Sequence, residues 1–325
     1  MNTLIQEKPT AVNTQFFNDV IVGLTAEPKS LSSKYFYDER GDAIFQQIME
    51  MEEYYLTNAE MEIFVSQSAA ICEAIAKGDE AFDLIELGAG DATKSIHLLK
   101  ALINRDLDFS YLPIDISAHV IEDLEANLPL QLPKLKIKGF NGDYFEMLSQ
   151  ANKYSNRRKV VLFMGANIGN MSVEDAQLFC EKLRKNLSKD DLLLVGFDLK
   201  KNPSQILAAY NDKNGITKSF NLNLLARMNR ELQADFEVDN FDHYACYDPQ
   251  SGACKSYLIS LAAQTVTIND KVIHFQENEY IFMEISQKYA LAEVEKLAKF
   301  SGFNMTQNFL DDQNYFVDTI WKVSE

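Results

Sequence analysis

From Phe82 onward, short and almost continuous apolar runs alternate with stretches whose apolar residues recur three and four positions apart. Phe82-Asp-Leu-Ile-Glu-Leu is such a run, and it breaks into Gly88-Ala-Gly90 before a helix-like stretch over 92–104. The order predicted is strand, glycine turn, helix. It recurs: Tyr111-Leu-Pro-Ile-Asp as a strand, 117–127 as a helix, 134–139 as a strand, 144–150 as a short helix and Lys159-Val-Val-Leu-Phe-Met as a strand. A helix over 174–186 and the run Asp191-Leu-Leu-Leu-Val-Gly-Phe-Asp continue it. Strands apolar at nearly every position are buried on both faces, so this rhythm predicts an α/β chain with a parallel sheet covered on both sides.

The flanks differ. Residues 1–15 read as a loose arm and 16–64 as a series of helices, with Asp42-Ala-Ile-Phe-Gln-Gln-Ile-Met placing apolar side chains at helical spacing. Between the first helices, Lys34-Tyr-Phe-Tyr-Asp-Glu-Arg-Gly is too aromatic for an ordinary solvated loop. The segment from Lys200 to about Asn269 breaks the βα rhythm with helices and then antiparallel strands, and reads as an insertion. Near the end an amphipathic helix over 291–301 stops at Gly302, and 303–322 supplies a closing hairpin turning through Asp311-Asp312-Gln-Asn.

A chain of 325 residues, 46% hydrophobic, can bury one complex domain or two intimate ones. Asp and Glu total 48 against 31 Lys and Arg, a formal charge of -17, which repels phosphate backbones and anionic membranes and makes nucleic acid a poor substrate. Cys72, Cys180, Cys246 and Cys254 are scattered without CxxC spacing and only four histidines are present, so no metal site is expected. The first residues are polar rather than signal-like, and no run approaches the roughly 18 to 20 apolar residues of a spanning helix. A cytoplasmic protein acting on a small molecule is expected, with a monomer favoured.

The glycine turn carries the first chemistry. Glycines at the end of a first strand let backbone N–H groups approach a ligand, and the following helix points its positive end the same way. Glu86-Leu-Gly88-Ala-Gly90-Asp lacks the third glycine of the dinucleotide fingerprint, because Thr93 stands there, which weighs against NAD. The next strand ends in Asp115, where a carboxylate can accept from both ribose hydroxyls of an adenosine. Asp143, in Asn141-Gly-Asp143-Tyr144, could accept from the adenine amino group while Tyr144 packs on the ring. Any one of these alone could be a turn former. Their order and spacing together fit a fold that binds S-adenosylmethionine, with Glu86, Gly88, Gly90, Lys94, Asp115, Asp143 and Tyr144 as the cofactor residues.

Several further motifs lie outside that turn: Tyr35-Phe-Tyr-Asp-Glu-Arg-Gly, Glu53-Tyr-Tyr-Leu-Thr, Gly165-Ala-Asn-Ile-Gly-Asn, Ala209-Tyr-Asn-Asp, Gly215-Ile-Thr-Lys-Ser-Phe-Asn-Leu-Asn and Glu284-Ile-Ser-Gln-Lys-Tyr. With them the chain resembles, from Phe16 to Lys322, the histidine-specific α-N-methyltransferases of ergothioneine synthesis and their relatives, which include a fungal branch acting on a tryptophan derivative. The resemblance implies a Rossmann-like, seven-stranded class I methyltransferase sheet and a second, α+β substrate-binding domain. It divides the chain into a methyltransferase domain over 60–199 plus 288–325 and a substrate domain over 1–59 plus 200–287. It also implies that Asn170 and Tyr210 grip the amino and carboxylate ends of an amino acid, that Ser286 assists, and that Tyr37 and Tyr54 sit beside the amine. Glu284 takes the position that holds the imidazole of histidine.

Methylation of an α-amine requires loss of its proton, and Tyr37 and Tyr54 are the expected catalytic pair, passing that proton on directly or through water. Three departures bear on specificity, the first being Leu56 in place of the proline of the Tyr-Tyr-Pro-Thr motif. Lys255-Ser256-Tyr257-Leu258 stands where the histidine enzymes carry Glu-Met-His-Leu, so Ser256 replaces the methionine that packs on imidazole; and Gly165-Ala166-Asn167 replaces Gly-Ser/Thr-Thr. Histidine is the leading acceptor, possible products extending to its trimethyl betaine. The rivals are a different amino acid or amine natural product and, more weakly, a catalytically silent S-adenosylmethionine-binding protein.

Overall fold

Phe82–Leu87 is buried at all six positions and lies inside the larger sheet, as a strand with a neighbour on each side and helices over both faces should. The computed structural model describes residues 11–76 and 80–324. In chain order its elements begin with α1 (Ala11–Thr25), β1 (Lys29–Ser30), α2 (Glu39–Glu50), α3 (Tyr55–Ile75), β2 (Phe82–Leu87), α4 (Ser95–Asn104), β3 (Phe109–Asp115) and α5 (Ala118–Gln131). They continue with β4 (Phe140–Asn141), α6 (Tyr144–Tyr154), β5 (Arg158–Phe163), α7 (Val173–Lys185), β6 (Leu192–Asp198), α8 (Pro203–Tyr210) and α9 (Ile216–Leu232). The chain closes with β7 (Phe241–Asp248), β8 (Ala253–Ser260), β9 (Gln264–Ile268), β10 (Lys271–Phe275), β11 (Tyr280–Gln287), α10 (Leu291–Phe300), β12 (Phe303–Leu310) and β13 (Phe316–Val323).

These elements fall into two compact units, one of Met1–Tyr55 with Asn202–Ser286, the other of Leu56–Lys201 with Gln287–Glu325. The second unit holds a seven-stranded sheet in the order β12-β13-β6-β5-β2-β3-β4. The pairs from β6 through β4 are parallel, while β13 runs antiparallel to both β6 and β12. This is the strand order and direction of class I methyltransferases. Its core gathers Ile85, Leu112, Phe163, Leu193 and Trp321, all at most 1% exposed. The polar positions inside the apolar runs are explained by pairing: Asp83 and Lys159 face each other across β2 and β5, with Nζ 2.7 Å from Oδ2.

The chain leaves this sheet after β6 and returns at Tyr289, and the two points are tied together. Tyr289 donates to Asp198 O at 3.0 Å, Lys200 donates to Tyr289 O at 2.9 Å, and the buried Lys288 ammonium lies 2.6 Å from Asp198. A second cation, Lys201, bonds the other oxygen of Asp198.

The first unit has a four-stranded sheet in the order β1-β11-β8-β7 and a β9–β10 hairpin. Its own core joins Phe16, Val20 and Leu24 of α1, each 1% exposed, to Phe220, Leu224 and Met228 of α9 and to Leu258 and Met283 of the sheet. The helix α1 begins at Ala11, so 11–15 is helix rather than loose arm; the rest of the expected arm, 1–10, lies outside the described residues. A second expectation also changes. Residues 134–139 form only a single parallel bridge, Tyr111 to Ile137, and the edge strand proper is β4. Among the described residues no helix is long and apolar enough to cross a membrane.

Candidate active site

In the second unit the end of β2 turns sharply. Gly88 and Gly90 have φ of 73° and 52°, and a Cβ on Gly88 would lie 2.7 Å from the Tyr144 hydroxyl, so only glycine lets the tyrosine lie against the turn. Asp115, ending β3, is aimed by backbone donors: Gly90 N–H at 3.3 Å on one oxygen and Ser117 N–H at 2.9 Å on the other. Asn141 braces the same loop by donating to the carbonyls of Asp115 and Ile116 at 3.0 and 2.9 Å. Asp143 caps α6, accepting from Phe145 and Glu146 N–H, which fixes Tyr144 at the first helical position. Burial, with the charges of Asp115 and Asp143 adding to it, pushes the Tyr144 phenol up to about 12, so it is a neutral donor at any working pH.

A polar pocket opens at this turn, lined among others by Glu86, Gly88, Lys94, Gly165 and Asn167. Glu86 is buried and accepts from Ser95 Oγ at 2.8 Å and the Tyr111 hydroxyl at 2.5 Å. The structure thus gathers Glu86, Gly88 and Lys94 around one pocket, links Asp115 to Gly90 and sets Tyr144 on Gly88. Asn167 was not singled out as a site residue; its amide donates to Met164 O at 2.9 Å within the turn that follows β5. Asn170 is exposed at the end of the short 3-10 turn Asn167–Asn170, and Ser172 caps α7.

In the first unit a chain of rings joins three of the sequence-derived residues. Tyr37 packs edge-on to Phe45 and Phe220 at 5.5 and 5.7 Å, Phe45 to Tyr54 at 6.4 Å, and Tyr54 to Tyr210 at 6.2 Å. Tyr210 and Ser286 share a buried hydrogen bond of 2.7 Å. Glu284, half-buried, stands two residues before Ser286 on β11, and Ser256 is buried on the adjacent strand β8, opposite Ala245. Phe45 and Phe220 escaped sequence reasoning because an isolated phenylalanine on a helix reads as core.

The motifs around these residues hold them in place. Arg227 donates to the carbonyls of Tyr35 and Tyr37 at 3.0 and 3.3 Å, while Asp38 caps α2 through Gly41 N–H and takes Asn223 and Arg230. Asp212 accepts from Ile216 and Thr217 N–H at 3.0 and 2.8 Å, closing the turn from α8, which ends in Tyr210, into α9.

Compared with known families, residues 16–323 match the profile of the histidine-specific, S-adenosylmethionine-dependent methyltransferases. The chain belongs to that family. Among its relatives, the histidine N-alpha-methyltransferase of Mycolicibacterium smegmatis is 34% identical over 300 residues, covering 92% of each chain. That of Mycobacterium tuberculosis is 34% identical over 273 residues, 83% of each chain. The L-tryptophan methyltransferase of Psilocybe serbica is 27% identical over 322 residues, covering 90% of this chain and 89% of that one.

The methyltransferase therefore uses S-adenosylmethionine as its methyl donor, and the pocket at Gly88 fits that group: a side-chain-free turn for close approach, an acid at the end of β3, a phenol on the turn and the Lys94 ammonium.

Proposed function

We propose that this methyltransferase acts on the α-amino nitrogen of L-histidine and can carry the product to the trimethyl betaine. The observation that carries the reading is the linked set Tyr37, Phe45, Tyr54, Tyr210 and Ser286, with Glu284 two residues from its end. Hydroxyls and one carboxylate set among aromatic rings are what a small zwitterion with a ring N–H needs: phenol and alcohol for the carboxylate, a carboxylate for the imidazole N–H, rings to exclude water.

In this reading Asp115, Asp143, Tyr144, Glu86, Gly88, Gly90 and Lys94 hold the cofactor, within a methyltransferase domain corresponding to the seven-stranded unit. When bound, S-adenosylmethionine supplies a methyl group on a positive sulfur, whose charge also disfavours an ammonium beside it. Tyr210 and Ser286 orient the amino acid by its carboxylate, Glu284 holds the side chain, and Asn170 fixes the amine. Tyr37 and Tyr54 accept and pass on the proton the amine sheds, and most of the acceleration comes from positioning. The chain's -17 charge favours a free amino acid over an acceptor on a polyanion, and the cytoplasm is the expected compartment.

A second reading, a different amino acid as acceptor, is favoured by Ser256, which puts a small hydroxyl where the resemblance expects methionine. Incubation with S-adenosylmethionine and each of the twenty amino acids, read by mass spectrometry, decides between them. Gains of one to three methyl masses on histidine are expected. Gains confined to another amino acid would replace histidine and move Ser256 to the centre of selectivity.

A further inference from the structure

Glu60, on α3, is 1% exposed and was not among the expected site residues, since a glutamate on a helix reads as a solvated position. Here its carboxylate has two partners on two different walls of the cofactor pocket. One oxygen bonds the Lys94 ammonium; the other accepts the Gly165 N–H at 2.7 Å. Lys94 stands just before α4, and Gly165, with φ of 75°, begins the turn after β5. Both line the pocket, and of its lining residues Lys94 alone is cationic.

The sheet makes room for this acid. Gly196 of β6 has no side chain, and a Cβ there would lie 2.7 Å from Glu60 Oε1. Across from Gly196 in the β6–β13 pairing stands Asp318, fully buried, both of its oxygens without a hydrogen-bond partner among the described residues. Burial and then the Glu60 charge hold the Asp318 carboxyl well above the usual range. Burial opposes the charge on Lys94, but the charge and hydrogen bond of Glu60, with the charges of Asp318 and Glu86 added, hold the ammonium above its ordinary value.

We propose that Glu60 is a positioning residue for the cofactor: its single carboxylate sets the Lys94 ammonium and the Gly165 turn so that Lys94 receives the carboxylate at the amino-acid end of S-adenosylmethionine. The proposal rests on the assignment of Lys94 to the cofactor. Lys94 has three donor hydrogens and a flexible stem. Without a fixed anion behind it, the ammonium would swing toward solvent, and the adenosine end of the site would be left intact.

The test compares two ligands on the full chain by calorimetry: adenosylhomocysteine, which has the carboxylate, and 5′-methylthioadenosine, which lacks the amino-acid end. Glu60→Gln keeps an acceptor for Gly165 N–H and removes the charge. It should weaken adenosylhomocysteine by about tenfold or more, the size of a lost charge-assisted contact, and methylthioadenosine by less than about twofold. In turnover it should raise KM for S-adenosylmethionine and leave kcat at saturation nearly unchanged. Equal loss of both ligands would mean a merely structural role, and no loss of either would also overturn the proposal. Lys94→Met separates the two assumptions: if it spares adenosylhomocysteine, the assignment of Lys94 has failed; if it weakens adenosylhomocysteine and Glu60→Gln does not, Glu60 alone has failed. Should Glu60→Gln not fold, Gly196→Ala displaces the same carboxylate at constant charge and must give the same ligand-selective loss.

Discussion

Replacing Glu86 by glutamine should make the ligand-free protein more tolerant of alkaline pH. Glu86 is 3% exposed, and burial raises its carboxyl from the ordinary 4.5 to about 7; the hydrogen bonds from Tyr111 and Ser95 and the charge of Lys94 pull the other way without prevailing. Below pH 4.5 the carboxyl is protonated in the folded and the unfolded chain, and its contribution is fully present. Between 4.5 and 7 the unfolded chain releases the proton while the folded one retains it, so stability falls as pH rises and the loss is complete above 7. A displacement of that size corresponds to at most about 3 kcal/mol. Glutamine is neutral throughout and keeps one acceptor for the Ser95 and Tyr111 donors. The melting temperature of Glu86→Gln, measured relative to the parent protein, should therefore rise between pH 5 and pH 8 by several degrees, on the order of 6 °C at most. Titrations elsewhere in the molecule are common to both proteins and cancel. A difference between the two melting curves that stays flat from pH 5 to pH 8 would refute the argument, because the folded carboxyl would then ionise at its ordinary pH.

Other positions give sharper functional readouts. Gly88→Ala meets both a φ of 73° and the Tyr144 hydroxyl 2.7 Å from its Cβ; a stability loss of about 1–3 kcal/mol and much weaker adenosylhomocysteine binding are expected by thermal melt and calorimetry. Ser286→Ala removes the 2.7 Å partner of Tyr210, which should cost about 1 kcal/mol of amino-acid affinity and show as a several-fold higher KM for histidine with little change in KM for S-adenosylmethionine. The double change Tyr37→Phe with Tyr54→Phe should lower turnover by about 10²-fold or more, and unchanged turnover would rule out the proton path through the phenols.

The parallel sheet was legible because strands covered on both faces must be apolar at nearly every position, and β2, β5 and β6 are. Legibility failed at the edge. Leu135 and Ile137 alternate like a strand, but an edge position has one neighbour, and here only Ile137 bridges to it before β4 takes over. The glycine turn and Asp115 could be read locally, since each stands where a strand, β2 or β3, gives way to its own helix. The ring chain could not: Tyr37 meets Phe220, and Tyr54 meets Tyr210, across long sequence separations that periodicity does not encode. Those residues were reached through a family resemblance. Glu60 shows the limit most clearly, because nothing in its helical neighbourhood distinguishes it from Glu62, and only the Gly196 gap and the Lys94 partner reveal it.

The tie between the end of β6 and Tyr289 has a consequence for chain entropy. Because Asp198, Lys200, Lys288 and Tyr289 close the excursion from bonds made within the seven-stranded unit, the sheet does not depend on the excursion's contents to bring its own segments together. Closure entropy grows only logarithmically with length, about 0.6 kcal/mol for each doubling. Asn202–Ser286 is therefore a segment in which insertions, deletions or wholesale exchange leave the sheet's closure almost unchanged, and selection is free to rework it at little expense to the sheet.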